Sequence, residues 1–270
     1  MRRHRSQHLF VRIVGSLVAL ILILPTLVII PISFAGNRSF VFPPTSWSLR
    51  WYVEVFQNGL WASSLQRSAT IGLLAALLAT VCGTAAAIGL VRWSHRRLAG
   101  ALRALMMAPV VIPGIVLAIG IFAAFSVFGL TGTIQGFVIA HAALGLPFVI
   151  ISVMASLSGV DPQIEKAAAS LGATRWGVIR QITLPLIGPG VLAGALFAFV
   201  TSFDEILVSL FIKSPFLETF PLRMYQSVSN DTDPTVAAAS TLVLVLTTAI
   251  IIVGSRIATL RSRRLVGRRE

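Results

Sequence analysis

Apolar residues in this chain come in long runs, and polar residues gather in short stretches between them. Six runs stand out, at about 10–34, 66–92, 101–127, 133–157, 186–212 and 235–258. Each is long enough for the roughly 18 residues that carry a helix through a hydrocarbon core of about 30 Å. The roughly ten-residue alternation of a membrane β-barrel is absent. The pattern predicts an all-α membrane protein with six transmembrane helices.

The polar stretches set the orientation. One set carries Arg2, Arg3, Arg5 and Arg12, then Arg92, Arg96, Arg97 and Arg103, then Lys166, Arg175 and Arg180, and finally Arg256, Arg261, Arg263, Arg264, Arg268 and Arg269. The alternate set holds only Arg38, Arg50, Arg67, Lys213 and Arg223. Basic residues favour the cytoplasmic side, so both termini and the 165–184 stretch are expected there. The basic start and the apolar run from Ile13 to Ile32 resemble a signal peptide, with Ser33-Phe34-Ala35 as a passable cleavage site. The run is longer than a usual signal core, so it is read as the first span. Pro25, Pro31, Pro109, Pro113 and Pro147 mark expected bends, which membrane helices tolerate where neighbours satisfy the freed carbonyls.

Composition narrows the chemistry. The chain has 270 residues, 56% of them hydrophobic and 11% charged, with a net charge of +13. Such a balance would fit nucleic acid only if the cations lined a soluble face; here they flank the spans, and the partner is membrane lipid. Cys82 is the single cysteine, so no disulfide or thiolate cluster can form, and the four His and scattered acids show no metal-ligand spacing. No Gly-x-x-x-x-Gly-Lys-Ser/Thr loop occurs, so the chain cannot hydrolyse ATP by that chemistry. Residues 40–64 carry Trp47, Trp51, Tyr52, Phe56 and Trp61, read as headgroup anchors rather than a docking surface. Gly190 and Gly194 give a small-xxx-small face suited to a close helix neighbour.

The 158–185 loop is the most ordered of the polar stretches. Asp161-Pro162 is a helix start, an acidic N-cap followed by proline in the first turn. Glu165 falls near that first turn, where the helix dipole favours an acid. Ala167, Ala168 and Ala169 form helix with little bulk, so a partner can approach closely. Gly172 is expected to end this helix in a left-handed cap, and Thr174 to start a second one with Val178, Ile179 and Ile182 on its apolar face. Pro185 is expected to stop or bend the chain at the membrane. A bent helix pair between spans serves as a handle for another protein.

Span five carries Thr201-Ser202-Phe203-Asp204-Glu205. Ionisable groups inside a span usually face an aqueous cavity or a paired charge. Thr201, Glu205 and Ser209 fall at i, i+4 spacing and would form a polar stripe. Two readings stand: the acids meet a cation in transit, with Phe203 or Trp61 adding ring contacts, or they pair with Arg67 or Lys213 and stabilise an outer gate. His141 in span four reads as a packing or hydrogen-bonding residue.

Residues 166–185 resemble the coupling loop of ABC importer permeases, whose pattern is Glu-Ala-Ala, three residues, Gly, nine residues, Ile, any residue, Leu-Pro. Ala167, Ala168, Gly172, Ile182, Leu184 and Pro185 match it. Lys166 stands at the family's Glu position, with Glu165 one residue earlier and therefore about 100° round the helix. Ser202 to Ile206, Thr219-Phe220-Pro221-Leu222, and the segment from Phe42 to Trp51 are similar to spermidine/putrescine-type permeases. The resemblance covers essentially the whole chain, as one permease domain (1–270). It implies a type I importer fold in a bacterial inner membrane, with the loop docking on an ATPase through Glu165, Lys166 and the matched residues. It also implies a homologous second permease making a heterodimer, two cytoplasmic ATPase subunits that bind the ATP, and a periplasmic binding protein. The implied cargo is a polyamine, met by Asp204 and Glu205 with Thr201, Phe203 and Ser209. Related permeases serve other amines, opines or ferric ion. A secondary transporter would leave the 165–185 knob unexplained, and no nucleophile–base pair supports an intramembrane enzyme.

Overall fold

A computed structural model describes residues 2–38, 40–93, 95–230 and 234–266. Arg268 and Arg269, counted above among the basic residues of the tail, lie outside the described residues. The described chain is helical: α1 (Arg2–Ser33), α2 (Arg50–Gln57), α3 (Gly59–Arg92), α4 (Arg96–Val111), α5 (Gly114–Val127), α6 (Ile134–Ser158), α7 (Pro162–Ser170), α8 (Arg175–Val178), a π turn (Ile179–Thr183), α9 (Leu184–Phe203), α10 (Leu207–Ile212), α11 (Phe220–Asn230) and α12 (Thr235–Val266). It falls into two compact units, Met1–Ala62 with Met224–Leu246, and Ser63–Arg223 with Thr247–Glu270.

Among the described residues five helical stretches are long and apolar enough to cross a membrane: Val11–Ser33, Gly59–Arg92, Ile134–Ser158, Arg175–Phe203 and Thr235–Gly254. The sixth expected span, 101–127, is instead two helices, α4 and α5, bent by 108° at the Ile112–Pro113 junction. Proline cannot donate a backbone hydrogen bond, and it pushes the residue before it out of helical conformation. Ile112 is accordingly extended, with ψ of 134°. The other flagged prolines do not interrupt their helices: Pro25 and Pro31 lie within α1, Pro109 within α4 and Pro147 within α6.

In the first unit, α1 is apolar all round from Ile13 onward. Leu17, Leu20, Ile21, Leu22 and Leu24 are all exposed, a surface suited to lipid rather than water. The chain after it is pinned to α2. Trp51 Nε1 donates to the Ala35 carbonyl at 2.7 Å, Ser33 Oγ and Tyr52 OH are 2.7 Å apart, and the Arg50 guanidinium stacks 4.0 Å over the Trp51 ring. Trp51 and Trp61 are therefore packing residues rather than headgroup anchors, and Trp61 offers no ring face to a cargo. Trp47 and Phe56 stay exposed.

The second unit is built round α3, α6 and α9. Ala75, Ala79, Ala87, Ala142, Val149 and Ala198 form its core, small residues that let the helices approach closely. The Gly190/Gly194 face meets α6 of the same chain. A Cβ on Gly194 would lie 2.9 Å from the Val149 Cα, and one on Gly190 2.8 Å from the Ser152 carbonyl oxygen. From the α6 side, a Cβ on Gly145 would lie 2.9 Å from the Ala198 methyl. A second cluster packs α10 against α5 and α6 through Ala118, Phe137, Ala140, Val208 and Ile212.

Candidate functional site

The knob between α6 and α9 folds as its residues dictate. Asp161 caps α7, its Oδ1 accepting from the Gln163 N–H at 2.9 Å, and Pro162 opens the helix. At the other end Gly172 has φ +88°. Gly172 N–H donates to the Ala169 carbonyl at 3.0 Å and Ala173 N–H to the Ala168 carbonyl at 3.1 Å. This pair of bonds is a Schellman cap, which requires the left-handed residue glycine supplies without strain. Thr174 then caps α8, its Oγ1 accepting from the Gly177 N–H at 3.1 Å. The chain does not stop at Pro185. It passes through the π turn into α9, and Pro185 sits in the first turn of that helix, where its missing N–H is tolerated.

Glu165 is bonded within its own chain. Arg92 Nη2 at the end of α3 donates to Glu165 Oε1 at 2.6 Å, Thr183 Oγ1 donates to the same oxygen at 2.6 Å, and Arg92 Nη2 lies 3.1 Å from Thr183 Oγ1. One carboxylate thereby joins α3, α7 and the root of α9. Lys166 and Ala167 are exposed, Ala168 half-buried, Ile182 and Leu184 half-buried, and Pro185 exposed. Two apolar residues that sequence reasoning passed over crown the knob: Leu171, 90% exposed, and Trp176, 66% exposed. Their signal was present, since large apolar side chains in a stretch assigned to water need a partner. Beneath them a cleft of about 820 Å³ is lined by Arg92, Glu165, Lys166, Arg175 and Trp176 over Ile88 of α3.

At the far end of α9 the expected continuous span five is broken. α9 ends at Phe203, α10 begins at Leu207, and Asp204, Glu205 and Ile206 form an elbow. Acids are disfavoured at a helix C-terminus and favoured at an N-terminus. Ending α9 before Asp204 relieves the first position and lets Glu205 use the second, its Oε1 accepting from the Val208 N–H at 2.9 Å. The single i, i+4 stripe of Thr201, Glu205 and Ser209 therefore does not form, because the three do not share one helix. Asp204 is exposed, Glu205 and Thr201 half-buried, and Ser209 buried. Phe203 is 1% exposed and stacks on Phe199 with ring centroids 5.7 Å apart, so it packs the core and presents no face to a cation.

His141 is fully buried, with Nδ1 2.9 Å from Ser202 Oγ and Nε2 3.2 Å from Ser209 Oγ. Ser209 Oγ in turn donates to the Glu205 carbonyl at 3.0 Å. The hydrogen-bonding reading of this lone histidine holds, though nothing in the sequence tied it to span five. Among the described residues no group of three or more His, Cys, Asp or Glu side chains is arranged to hold a metal ion.

The sequence matches the family described as "Binding-protein-dependent transport system inner membrane component" over residues 79–267. It is 32% identical over 240 residues to the spermidine/putrescine transport system permease protein PotC of Escherichia coli K12, covering 88% of this chain and 89% of that protein. It is also 32% identical over 228 residues to the putrescine transport system permease protein PotI of the same strain, covering 82% of this chain and 80% of that one. Among solved structures, a chain of a bacterial alginate ABC transporter in complex with a periplasmic protein superposes with a TM-score of 0.75, covering 96% of each chain at 15% identity.

Proposed function

The chain belongs to the binding-protein-dependent transport inner-membrane component family, and from that premise we propose that it carries polyamines as one half of an ATP-driven importer. It is a permease subunit of an ABC importer and not an enzyme. The finer reading is ours. The 270 residues act as one permease domain in a bacterial inner membrane, with both termini and the knob in the cytoplasm. The chain pairs with a homologous permease, two ATPase subunits that bind the ATP, and a periplasmic receptor.

In this reading α7 and α8 seat on the ATPase through Leu171, Trp176 and the small residues Ala167 and Ala168. Lys166, at the position where relatives of this kind place an acid, is matched by an acidic residue of the motor. Closure of the motor moves the knob. The Glu165 junction passes the movement to α3 and α9, and the paired cavity turns outward. Hydrolysis returns it inward.

The observation that carries the cargo assignment is the exposed elbow, considered beside the named transport roles of PotC and PotI. α9 runs about 30 Å from the knob to the elbow, so with the knob in the cytoplasm Asp204 and Glu205 would lie near the outer end of the span. The C-terminal carbonyls of α9 and two carboxylates present negative charge there, as broken membrane helices do where cations bind. An ammonium group at about 4 Å from a carboxylate gains about 1 kcal/mol in water and several times that in a partly desolvated cavity. Uptake of labelled putrescine and spermidine by cells expressing the assembly tests this. Asp204→Asn with Glu205→Gln is expected to cut uptake at least tenfold with normal membrane levels. Unchanged uptake would return the acids to a gating role.

A further inference from the structure

His141 is a buried polar side chain that the proposed function leaves without a task. It projects from α6 into the break of span five and touches both sides of it. Ser202, in the last turn of α9, meets one ring nitrogen, and Ser209, in α10, meets the other. Both tautomers hold this bridge. With the proton on Nε2 the ring donates to Ser209 Oγ, whose own proton goes to the Glu205 carbonyl, while the Ser202 hydroxyl donates to Nδ1. With the proton on Nδ1 the ring donates to Ser202, whose carbonyl lies 3.0 Å away, and Nε2 accepts from Ser209.

Geometry gives the bridge a consequence. Ser202 and Ser209 are seven residues apart, and an unbroken helix would place their Cα atoms about 10.5 Å from each other on one face. The ring and its two bonds span only about 8 Å between the hydroxyls. The ring thus links the last turn of α9 to α10 across the break. The elbow also rests on local bonds, Val208 N–H to the Glu205 carboxylate and Ser209 to the Glu205 carbonyl, and the second of these runs through a His141 partner.

We infer that His141 is a positioning residue for the cargo: it ties α9 to α10 across the elbow so that Asp204 and Glu205 face the path, and it touches no cargo itself. This rests on the reading of the elbow as the cation contact. The role is specific to this residue because His141 is 0% exposed, so its effect on a cation in the path passes through the serines.

The test is the KM for labelled putrescine in proteoliposomes holding the full assembly, with inserted transporter counted in each preparation. His141→Leu keeps the bulk and removes both bonds. It is expected to raise KM about tenfold, the effect of one to two neutral hydrogen bonds, with the maximal rate per inserted transporter within about twofold. His141→Gln, which keeps a donor and an acceptor, is expected to recover most of the affinity. If His141→Leu fails to insert, Ser202→Ala with Ser209→Ala decides on the same readout. A merely structural histidine would lower the amount inserted and leave KM alone, and that result overturns the inference. Asp204→Asn with Glu205→Gln runs alongside. A raised KM there with an unchanged KM in His141→Leu defeats the positioning role and spares the elbow. An unchanged KM in both defeats the elbow and the inference together.

Discussion

Removing the Glu165 carboxylate should loosen the knob from its own membrane helices while leaving it folded. Glu165→Gln keeps the shape of α7 and, through Asp161 and Gly172, both of its caps. It ends the ion pair with Arg92 and weakens the bond from Thr183. The side chains of Arg92 and Glu165 are 35% and 26% exposed, so the pair lies between two regimes. Solvent-exposed pairs contribute about 0.2–1 kcal/mol, and breaking a buried pair costs about 3–5 kcal/mol. A two-donor carboxylate at this exposure should therefore contribute about 1–2 kcal/mol after screening, or roughly five- to thirtyfold in the equilibrium between tied and untied knob. In the reconstituted assembly this is read as molecules transported per ATP hydrolysed. Glu165→Gln and Arg92→Gln should each lower that ratio about tenfold, with ATP hydrolysis itself persisting. The double variant should be little worse than either single one, giving a coupling energy of about 1 kcal/mol in the cycle. Additive effects, or an unchanged transport ratio in Glu165→Gln, would refute the view that this carboxylate transmits the stroke.

Three further outcomes follow from the geometry. Gly172→Ala meets no atom within 4 Å, so its whole effect comes from the φ of +88°; it should destabilise the knob by about 1–2 kcal/mol and reduce cargo-stimulated ATP hydrolysis, with Gly172→Asn milder. Gly190→Leu drives a side chain into Ser152 and Ser156 of α6 and should prevent stable accumulation in the membrane, whereas Gly188→Leu, open on the same helix, should accumulate normally. Trp176→Ala should weaken binding of the purified ATPase by about 2 kcal/mol if the exposed ring is an interface anchor, measured by calorimetry in detergent, with insertion unchanged.

Hydropathy made most of the membrane helices legible, because length and apolarity alone decide which stretches can cross a bilayer. Both helix breaks depended on more. Pro113 and Pro147 look alike in sequence, yet only Pro113 sits at a break, since Pro147 is held within a buried stretch of α6 beside Leu144 and Val149. The Asp204 elbow contains neither glycine nor proline; it needs the capping bond of Glu205 and the distant ring of His141. The caps of α7 and α8 were readable residue by residue, since Asp161, Gly172 and Thr174 act on their immediate neighbours. The bonding of Glu165 was not, because Arg92 lies 73 residues away in sequence. Arg92 looked like one more topological charge. Trp51 and Phe203 were misread for a similar reason: aromatic rings near a membrane surface look the same in sequence whether they face lipid, cargo or core.

The central claim is that a separate motor drives a polycation through this permease by way of the knob. The direct measurement is uptake of labelled spermidine into proteoliposomes holding the chain, its partner permease, the ATPase and the receptor, with ATP supplied on the ATPase side. Uptake that requires ATP and vanishes with a hydrolysis-dead ATPase is the predicted result. Uptake driven by an ion gradient with the ATPase left out would contradict it.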